Sequence, residues 1–212
     1  MSRLTSLHPR RFAPLFVLAA ALLVGACDAV APATQADLAV SASDGSTSGD
    51  VRCRGTLGAV TVRSITVPAG RTCVLNGTRV RRNVDVGAGA TLVASGVRVG
   101  GNVQGNDAAA VTLGDLNGVR STVAGNVQAR DGGNATVEMT DIGGGLQVQQ
   151  NAGAVVIADN TVGGNAQVDQ NTGGVQIDRN LIEDTLSCQD NAPPPAGAGN
   201  VAERKEGQCG AL

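Results

Sequence analysis

The sequence is nearly devoid of aromatic residues and contains a single histidine. Among its 212 residues there is no tryptophan and no tyrosine, and His8, Phe12 and Phe16 all lie near the N-terminus in an apolar stretch. Beyond that stretch no imidazole is available for a Ser-His-Asp or Cys-His nucleophile or for a His-ligated zinc site. No ring is available for stacking on sugars or bases. We therefore predict a protein that is not an enzyme, with no catalytic residue, no metal ligand and no cofactor.

Residues 1–26 have the features of an export signal peptide. Arg3, Arg10 and Arg11 supply positive charge ahead of an apolar run over 12–24, as such signals require. The run has 13 residues, which is too short for a helix that crosses a hydrocarbon layer of about 30 Å. The sequence therefore indicates export rather than a membrane-spanning helix at this position.

The end of the apolar run carries a lipidation motif. The sequence Leu23-Val24-Gly25-Ala26-Cys27 resembles the lipobox of bacterial lipoproteins, in which a branched residue and two small residues precede a cysteine. The resemblance implies cleavage before Cys27, attachment of a diacylglycerol to its thiol and acylation of the new N-terminus with a chain such as palmitate. Two or three acyl chains give stable membrane attachment. This predicts a protein of the bacterial cell envelope, anchored in a membrane by its lipid and facing away from the cytoplasm. An ordinary secretory signal followed by an incidental cysteine is the alternative.

Residues 27–50 connect this motif to the rest of the chain. They show no apolar periodicity and are rich in alanine, serine, threonine, glycine and aspartate. Such a composition is typical of a flexible segment. We interpret it as a lipidated tether.

From about residue 78 the sequence repeats with a period close to 20. The segments VRRNVDV, VGGNVQG, VAGNVQA, IGGGLQV, VGGNAQV and IEDTLSC follow one pattern, whose landmark residues are Asn83, Asn102, Asn126, Gly145, Asn165 and Thr185. Their spacings are 19, 24, 19, 20 and 20, which is too long for heptads and too short for paired-helix repeats. Apolar and polar residues alternate within each unit, which is the signature of a strand.

Three columns of residues stay in phase through these repeats. The position after the landmark is apolar: Val84, Val103, Val127, Leu146, Ala166 and Leu186. The next position is polar: Asp85, Gln104, Gln128, Gln147, Gln167 and Ser187. The third is again small or apolar: Val86, Gly105, Ala129, Val148, Val168 and Cys188. Short strands stacked on their counterparts one repeat later form a parallel β-helix, with the first and third columns inside.

We therefore predict an all-β fold, a single-stranded parallel β-helix of about six coils over residues 51–191. The hexapeptide rhythm of left-handed β-helices is absent, which favours the right-handed form. Asparagines that recur at intervals of 20, namely Asn151, Asn171, Asn191, Asn160 and Asn180, are expected to occupy left-handed turn positions and to hydrogen-bond as ladders. The prolines at 193–195 cannot donate ladder hydrogen bonds, so the strand stacking should end there. Residues 192–212 should then form a capping tail over the last coil.

The cysteines downstream of Cys27 fall into two pairs spaced by about one coil. Cys53 and Cys73 are 20 residues apart, and Cys188 and Cys209 are 21 apart. Residues one coil apart stack about 4.8 Å from each other, within the Cα separation that a disulfide needs. We predict the disulfides Cys53–Cys73 and Cys188–Cys209, one capping each end of the β-helix, with free buried thiols as the alternative.

The stretch RRNVDVGAGATLVASGVRVGGNVQ, over about 80–125, resembles the repeats of bactofilins, which are polymer-forming bacterial β-helix proteins. That resemblance implies the fold and, as one hypothesis, a self-associating scaffold. The chain beyond the signal peptide also resembles a group of secreted bacterial β-helix proteins, through its ending Leu186-Ser187-Cys188 and Lys205-Glu206-Gly207-Gln208-Cys209. The second resemblance implies export and fold, and no chemistry.

Charge is distributed unevenly along the chain. Segment 51–98 contains eight arginines and one acid, whereas segment 99–190 contains three arginines and eleven acids. The cluster Arg71, Arg79, Arg81, Arg82 and Arg98 is a candidate site for anionic envelope groups such as phosphates or uronates. The outward row Gln104, Gln128, Gln147 and Gln167 is a candidate surface for glycan hydroxyls. For both, an ordinary solvated surface is the alternative. Nucleic acid is not an expected partner of an exported, acidic protein.

An enzymatic alternative rests on acidic residues, because pectate lyases and polygalacturonases share the β-helix fold and use clustered carboxylates. Asp159 and Asp178 lie 19 residues apart, and Asp169 should lie near Gln149 on the neighbouring coil. Stacked acids can bind calcium or act as a carboxylate pair. We expect them instead to be solvated outward residues, since the only insertion that could build a cleft is short and lies around 118–122. The sequence thus predicts a cell-envelope lipoprotein with a structural or ligand-binding β-helix. A polysaccharide-active enzyme and a bactofilin-like scaffold are the alternatives.

Overall fold

The computed structural model describes residues 49–212. The signal peptide predicted over 1–26, Cys27 and nearly all of the predicted tether lie outside the described residues. Within the described part, the chain forms 23 short strands and one 3-10 helix. No helix of this part is long and apolar enough to cross a membrane.

The strands belong to three parallel sheets that run along the length of the molecule. The first sheet contains β1 (Asp50–Arg52), β4 (Ser64–Val67), β7 (Val84–Val86), β10 (Val103–Asn106), β13 (Val127–Arg130), β16 (Leu146–Gln149), β19 (Ala166–Asp169), β22 (Thr185–Gln189) and β23 (Arg204–Gly207). The second sheet contains β2 (Thr56–Leu57), β5 (Thr72–Asn76), β8 (Thr91–Ser95), β11 (Ala110–Gly114), β14 (Asn134–Glu138), β17 (Val155–Ala158) and β20 (Val175–Asp178). The third contains β3 (Thr61–Val62), β6 (Arg79–Val80), β9 (Arg98–Val99), β12 (Ser121–Val123), β15 (Thr140–Ile142), β18 (Thr161–Val162) and β21 (Leu181–Ile182).

The chain visits the three sheets in turn, so each turn contributes one strand to each sheet. This arrangement confirms the predicted parallel β-helix. It has about eight turns, however, rather than about six. Two further turns precede the first landmark, Asn83, and they lack the Gly-Asn-Val pattern.

The stack also continues beyond the prolines. Ala196 forms a parallel bridge with Gln176, Val201 forms one with Leu181, and β23 pairs in parallel with β22. The expectation that the prolines end the stacking is therefore wrong. They replace strands by isolated bridges, but the backbone still follows the path of the turn below.

The interior is formed by the columns that the repeat predicts. Val84, Val103, Val127, Leu146, Ala166 and Leu186 are cross-strand partners in that order, and each is at most 1% exposed. The third column is equally buried and includes Gly105, where an added Cβ would lie 2.7 Å from Val111 Cγ2. So narrow a cross-section explains why the core consists of valine, alanine, leucine and isoleucine.

Single residues in the left-handed region make two of the three corners. Between the first and second sheets these residues are Gly70, Gly89, Asp107, Asp131, Gln150, Gln170 and Asp190, with φ between 53° and 65°. Between the second and third sheets they include Gly77, Gly96, Met139, Asp159, Arg179 and Gly199. The left-handed residue is thus the one before each recurring asparagine, and the expectation that the asparagines adopt this conformation is wrong.

The asparagines form the predicted ladders inside the corners. Asn171 accepts hydrogen bonds at Oδ1 from the backbone N and the side-chain Nδ2 of Asn151, both at 3.0 Å. Its own Nδ2 donates to Asn191 Oδ1 and to the backbone oxygen of Val148, again at 3.0 Å. A second ladder joins Asn160, Asn180 and Asn200 in the same way. These amides satisfy the backbone groups that each corner removes from the sheets.

Both predicted disulfides are present near the ends of the stack. Cys53–Cys73 joins the first and second turns, with a Cα separation of 5.4 Å. Cys188–Cys209 joins β22 to the 3-10 helix Gln208–Ala211, with a Cα separation of 5.2 Å. The side chain of Gln208 extends the asparagine ladder, because its Oε1 accepts a hydrogen bond from the backbone N of Asn191 at 2.9 Å.

Candidate functional site

The outer face of the third sheet carries one column of side chains that changes character along the molecule. Its members are cross-strand partners in this order: Thr61, Arg79, Arg98, Thr122, Asp141, Thr161 and Leu181. They point outward because the residues that follow them, such as Val80 and Val99, are buried. Arg79 and Arg98 therefore emerge from adjacent strands spaced by about 4.8 Å.

The one insertion in the repeat stands beside these two arginines. Residues 115–120 follow β11, and Leu116 and Val119 form an antiparallel bridge across Asn117 and Gly118. Both central residues have positive φ, 52° and 81°, as a two-residue Asn-Gly hairpin turn requires. The Asp115 carboxylate accepts a hydrogen bond from the backbone N of Gly118 at 2.7 Å. We call residues 115–120 the hairpin.

The hairpin packs on the second corner through a glycine. An added Cβ on Gly96, whose φ is 60°, would lie 2.7 Å from Leu116 Cβ. Close approach of Leu116 thus requires a residue without a side chain at this place. As a result, Leu116 and Val119 form an apolar wall alongside Arg79 and Arg98.

Two shallow cavities flank the arginine pair. One, of about 340 Å³, lies between the two arginines and the hairpin wall. The other, of about 310 Å³, lies on the opposite side and is lined by the same two arginines together with Arg81, Gly100 and Thr122. Gly100 follows β9 at the third corner, where an added Cβ would lie 2.5 Å from the backbone oxygen of Arg81. We call these two cavities with Arg79 and Arg98 the arginine groove.

The arginine groove lacks compensating negative charge. Within residues 49–212, neither Arg79 nor Arg98 forms an ion pair, and the same holds for Arg81 and Arg82 at the neighbouring corner. Like charges placed directly opposite each other on neighbouring strands are unfavourable. An anion between the two guanidinium groups would relieve that repulsion and accept their hydrogen bonds.

The arginines farther along the molecule are engaged differently. Arg120, at the end of the hairpin, pairs with Asp141 at 2.8 Å and donates to the backbone oxygen of Asp159. Arg179 pairs with Asp159 at 2.6 Å. The hydrogen bond from Arg179 holds the pKa of Asp159 below its ordinary value of 3.8, and the positive charges of Arg179 and Arg120 act in the same direction. These side chains are therefore committed to intramolecular ion pairs.

The predicted glutamine row lies on the first sheet, on a different face from the arginine groove. Gln104, Gln128, Gln147 and Gln167 are successive cross-strand partners, as the repeat predicts, and all are half-buried. Gln147 and Gln167 use their amides within the protein: Gln147 Nε2 donates to Gln167 Oε1 at 3.2 Å, and Gln147 Oε1 accepts from Arg130. Only Gln104 and Gln128 keep amides without a partner among the described residues.

The three acids of the enzymatic alternative each have partners of their own. Asp169 accepts from Gln149 at 3.1 Å, from Gln167 at 2.7 Å and from the backbone N of Gln189 at 2.9 Å. It is 8% exposed, so the interpretation of Asp169 as a solvated outward residue is wrong. Asp178 accepts from the backbone N of Ala198 at 2.9 Å and from Gln176 at 2.6 Å. Asp159 faces Arg179 rather than Asp178.

Sequence reasoning identified part of this site. Arg79, Arg81 and Arg98, which belong to the predicted arginine cluster, line the arginine groove. Arg82 lies at the adjacent corner, and Arg71 precedes β5 on the second sheet, away from the groove. The hairpin wall was not foreseen, although the 24-residue spacing and the Asn117-Gly118 pair flanked by apolar residues are the signals that mark it.

No family model, no curated protein and no solved structure matches the chain. The resemblances to lipoproteins and to bactofilins stay predictions.

Proposed function

We propose that the protein is a lipid-anchored module of the bacterial cell envelope that binds anionic groups on envelope glycans through its arginine groove. The observation that carries the proposal is the pair Arg79 and Arg98. They are exposed, stacked on adjacent strands and without an acidic partner among the described residues. The β-helix fold itself supports a structural or ligand-binding module in general, without specifying the ligand.

The disulfides support the proposed compartment. Such bonds persist in oxidising surroundings outside the cytoplasm, and both lie fully inside the stack, with Cys73 and Cys188 at 0% exposure. The lipobox-like sequence before Cys27 supports the anchor.

The anchor is tested by labelling cells with a palmitate analogue. The parent chain should take up label, and Cys27→Ser should lose it, because the thiol of Cys27 is the proposed acceptor. Cys53→Ser is the matched control, since it removes a cysteine outside the motif and should keep the label. Equal labelling of the parent and Cys27→Ser would refute the lipoprotein assignment.

The charge of the arginine pair favours it over the glutamine row as the binding surface. Two of the four glutamines are occupied by each other, by Arg130 and by Asp169. The free amides of Gln104 and Gln128 are neutral and hydrogen-bond to water at little cost. Arg79 and Arg98 repel each other in the absence of an anion. An anion bound between them removes this repulsion, which favours binding.

We propose that the protein binds glycans without cleaving them. In support, Asp159, Asp169 and Asp178 each accept hydrogen bonds from an arginine, an amide or a backbone N–H, as carboxylates with a structural role do. An acid that works in general acid–base catalysis needs a pKa near the working pH, whereas the pKa of Asp159 is lowered.

The function is tested with alginate, a polyuronate, and with neutral dextran as the control polymer. The chain from residue 27 onward carrying Cys27→Ser, which is the mature form without its lipid, should bind alginate and not dextran. Arg79→Thr combined with Arg98→Thr should weaken alginate binding by about tenfold or more, equivalent to roughly 1.4 kcal/mol. Threonine is chosen because Thr61 and Thr122 occupy the same column.

Arg52→Thr combined with Arg71→Thr is the control for net charge, because both arginines are exposed and lie outside the groove. This variant should change the affinity by less than about twofold, and raising the salt above about 0.15 M should weaken binding by the parent steeply. Equal losses in this control and in the groove variant would refute a specific site. Shortening of the alginate during incubation, abolished by Asp159→Asn or Asp178→Asn, would establish an enzyme instead.

A further inference from the structure

The arginines of the N-terminal turns surround the stack rather than occupy one face. Besides the pair in the groove, six exposed arginines lie in the first two turns: Arg52, Arg54, Arg63, Arg71, Arg81 and Arg82. We call these six the basic collar. Arg52 is in β1 of the first sheet, Arg71 directly precedes β5 of the second sheet, and Arg81 and Arg82 follow β6 of the third sheet. Arg63 approaches an acid, Asp50, at 4.0 Å, and within residues 49–212 the other five form no ion pair.

The opposite end of the stack carries the opposite charge. Glu183, Asp184 and Asp190 are exposed in the seventh turn and the start of the eighth, and Glu203 and Glu206 are exposed beyond them. Charge is therefore separated along the axis of the β-helix, with its positive end where the described chain begins. A groove ligand would use one face, whereas a ring of charge around one end matches a flat anionic surface that meets the molecule end-on.

We propose that the basic collar docks the N-terminal end of the β-helix on an anionic membrane surface, where the arginines meet lipid phosphate groups. The inference rests on the proposed lipid anchor in one respect. Residue 50 joins the predicted tether to the first strand, so this end is the one that the lipid holds near the bilayer.

The distance of a charged residue from the membrane surface determines whether it contributes to docking. The attraction of basic residues to an anionic surface falls off within a Debye length, about 8 Å at physiological ionic strength. Successive turns are spaced by about 4.8 Å, so the first two turns lie within that range when the β-helix stands on its end. The acidic turns lie beyond this range in that orientation, whereas the same surface would repel them if the opposite end approached it. The domain is thereby oriented with its acidic end away from the membrane and its three sheets accessible.

The test uses the chain from residue 27 onward carrying Cys27→Ser, which removes the lipid from the measurement. Formation of both disulfides, established by peptide mapping, verifies folding of each variant. The protein should bind vesicles of phosphatidylcholine with about one third phosphatidylglycerol and should not bind pure phosphatidylcholine, since only the former is anionic. Arg52→Ser combined with Arg71→Ser should weaken this binding several-fold, because both side chains belong to the collar.

Two matched variants distinguish the collar from net charge and from the groove. Arg204→Ser combined with Lys205→Ser removes the same charge at the acidic end and should leave vesicle binding within about twofold of the parent. A loss as large as that of the collar variant would show that net charge alone matters and would overturn the proposal. Arg79→Thr combined with Arg98→Thr should affect vesicles less than the collar variant does, and the reverse order would assign the lipid contact to the groove.

The anchor and the collar fail in distinguishable ways. Lipidated parent protein should remain with pure phosphatidylcholine vesicles through its acyl chains, and it reports on the anchor alone. The lipid-free chain on anionic vesicles reports on the collar alone. Absence of binding in the second measurement overturns the collar, whatever the first one shows.

Discussion

Asn171 has no exposure to solvent, and both polar atoms of its side chain have two partners each. An amide in this place joins three turns at once, because it accepts from Asn151 below and donates to Asn191 above. A buried polar group that loses its partner costs about 1–3 kcal/mol. The ladder is therefore sensitive to the removal of one member.

Asn171→Ala should lower the free energy of unfolding by about 3 kcal/mol or more, because the backbone N of Asn151 loses its acceptor and the oxygens of Val148 and Asn191 lose the Asn171 donor. The matched control is Asn165→Ala, since the exposed side chain of Asn165 accepts a single hydrogen bond, from Thr185 N at 3.2 Å. That change should cost less than about 1 kcal/mol. Urea unfolding measures both, and similar losses would contradict the role assigned to the ladder.

At the same scale, the sequence predicted which residues stack but not every conformation. The interval of 20 was enough to align the asparagines and to pair the cysteines. It did not reveal that Gln150 and Gln170 adopt the left-handed conformation, because asparagine and aspartate tolerate that conformation better than glutamine. The buried hydrogen bonds of the asparagine outweigh the preference of asparagine for the left-handed conformation. The left-handed residue is therefore the one before the asparagine. The sequence placed Asp169 near Gln149, which is correct, but it did not reveal the further hydrogen bonds from Gln167 and from the backbone N of Gln189 that accompany the burial of this carboxylate.

Among the elements, the tip of the hairpin is held mainly by its own turn, whereas Arg120 at its end is bonded to Asp141 and to the backbone of Asp159. Its backbone pairing is the single bridge between Leu116 and Val119, and its turn depends on the positive φ of Asn117 and Gly118. Opening it exposes few apolar contacts of the stack. Local opening should therefore be easier here than in the sheets.

Gly118→Ala should accelerate amide exchange at Leu116 and Val119 by roughly 5- to 30-fold, since an L-residue in the left-handed region costs about 1–2 kcal/mol. Gly114→Ala is the matched control, because a Cβ would meet open space at both positions and only Gly118 has a positive φ. Exchange at Leu113, inside β11, should not change in either variant. Equal acceleration by both substitutions would show that the hairpin depends on something other than this turn.

The number of turns was underestimated for reasons that also belong to the elements. The first two turns pair in the same parallel register as the later ones, but arginines stand at their third corner where later turns have glycines. A pattern based on Gly-Asn-Val does not recognise this variation, whereas backbone stacking tolerates it.

For the molecule as a whole, the two disulfides and the charge separation give the ends different properties. Each disulfide closes a loop of about one turn, which in the chain-entropy model contributes about 3 kcal/mol, and both act where strand edges would otherwise fray. The sequence predicted the charge asymmetry and the cysteine pairing, since both follow from composition and spacing. It could not predict the groove, because that depends on placing the hairpin next to two arginines that are 19 residues apart.

Nuclear magnetic resonance can show directly whether anions bind between Arg79 and Arg98. Alginate oligomers are titrated into the lipid-free mature chain while the arginine Nε–Hε signals and the glutamine side-chain amide signals are followed. We expect the Nε–Hε signals of Arg79 and Arg98 to shift with a common dissociation constant, while the amide signals of Gln104 and Gln128 stay in place. Shifts of the Gln104 and Gln128 amides with unchanged Arg79 and Arg98 signals would contradict this expectation and assign binding to the first sheet.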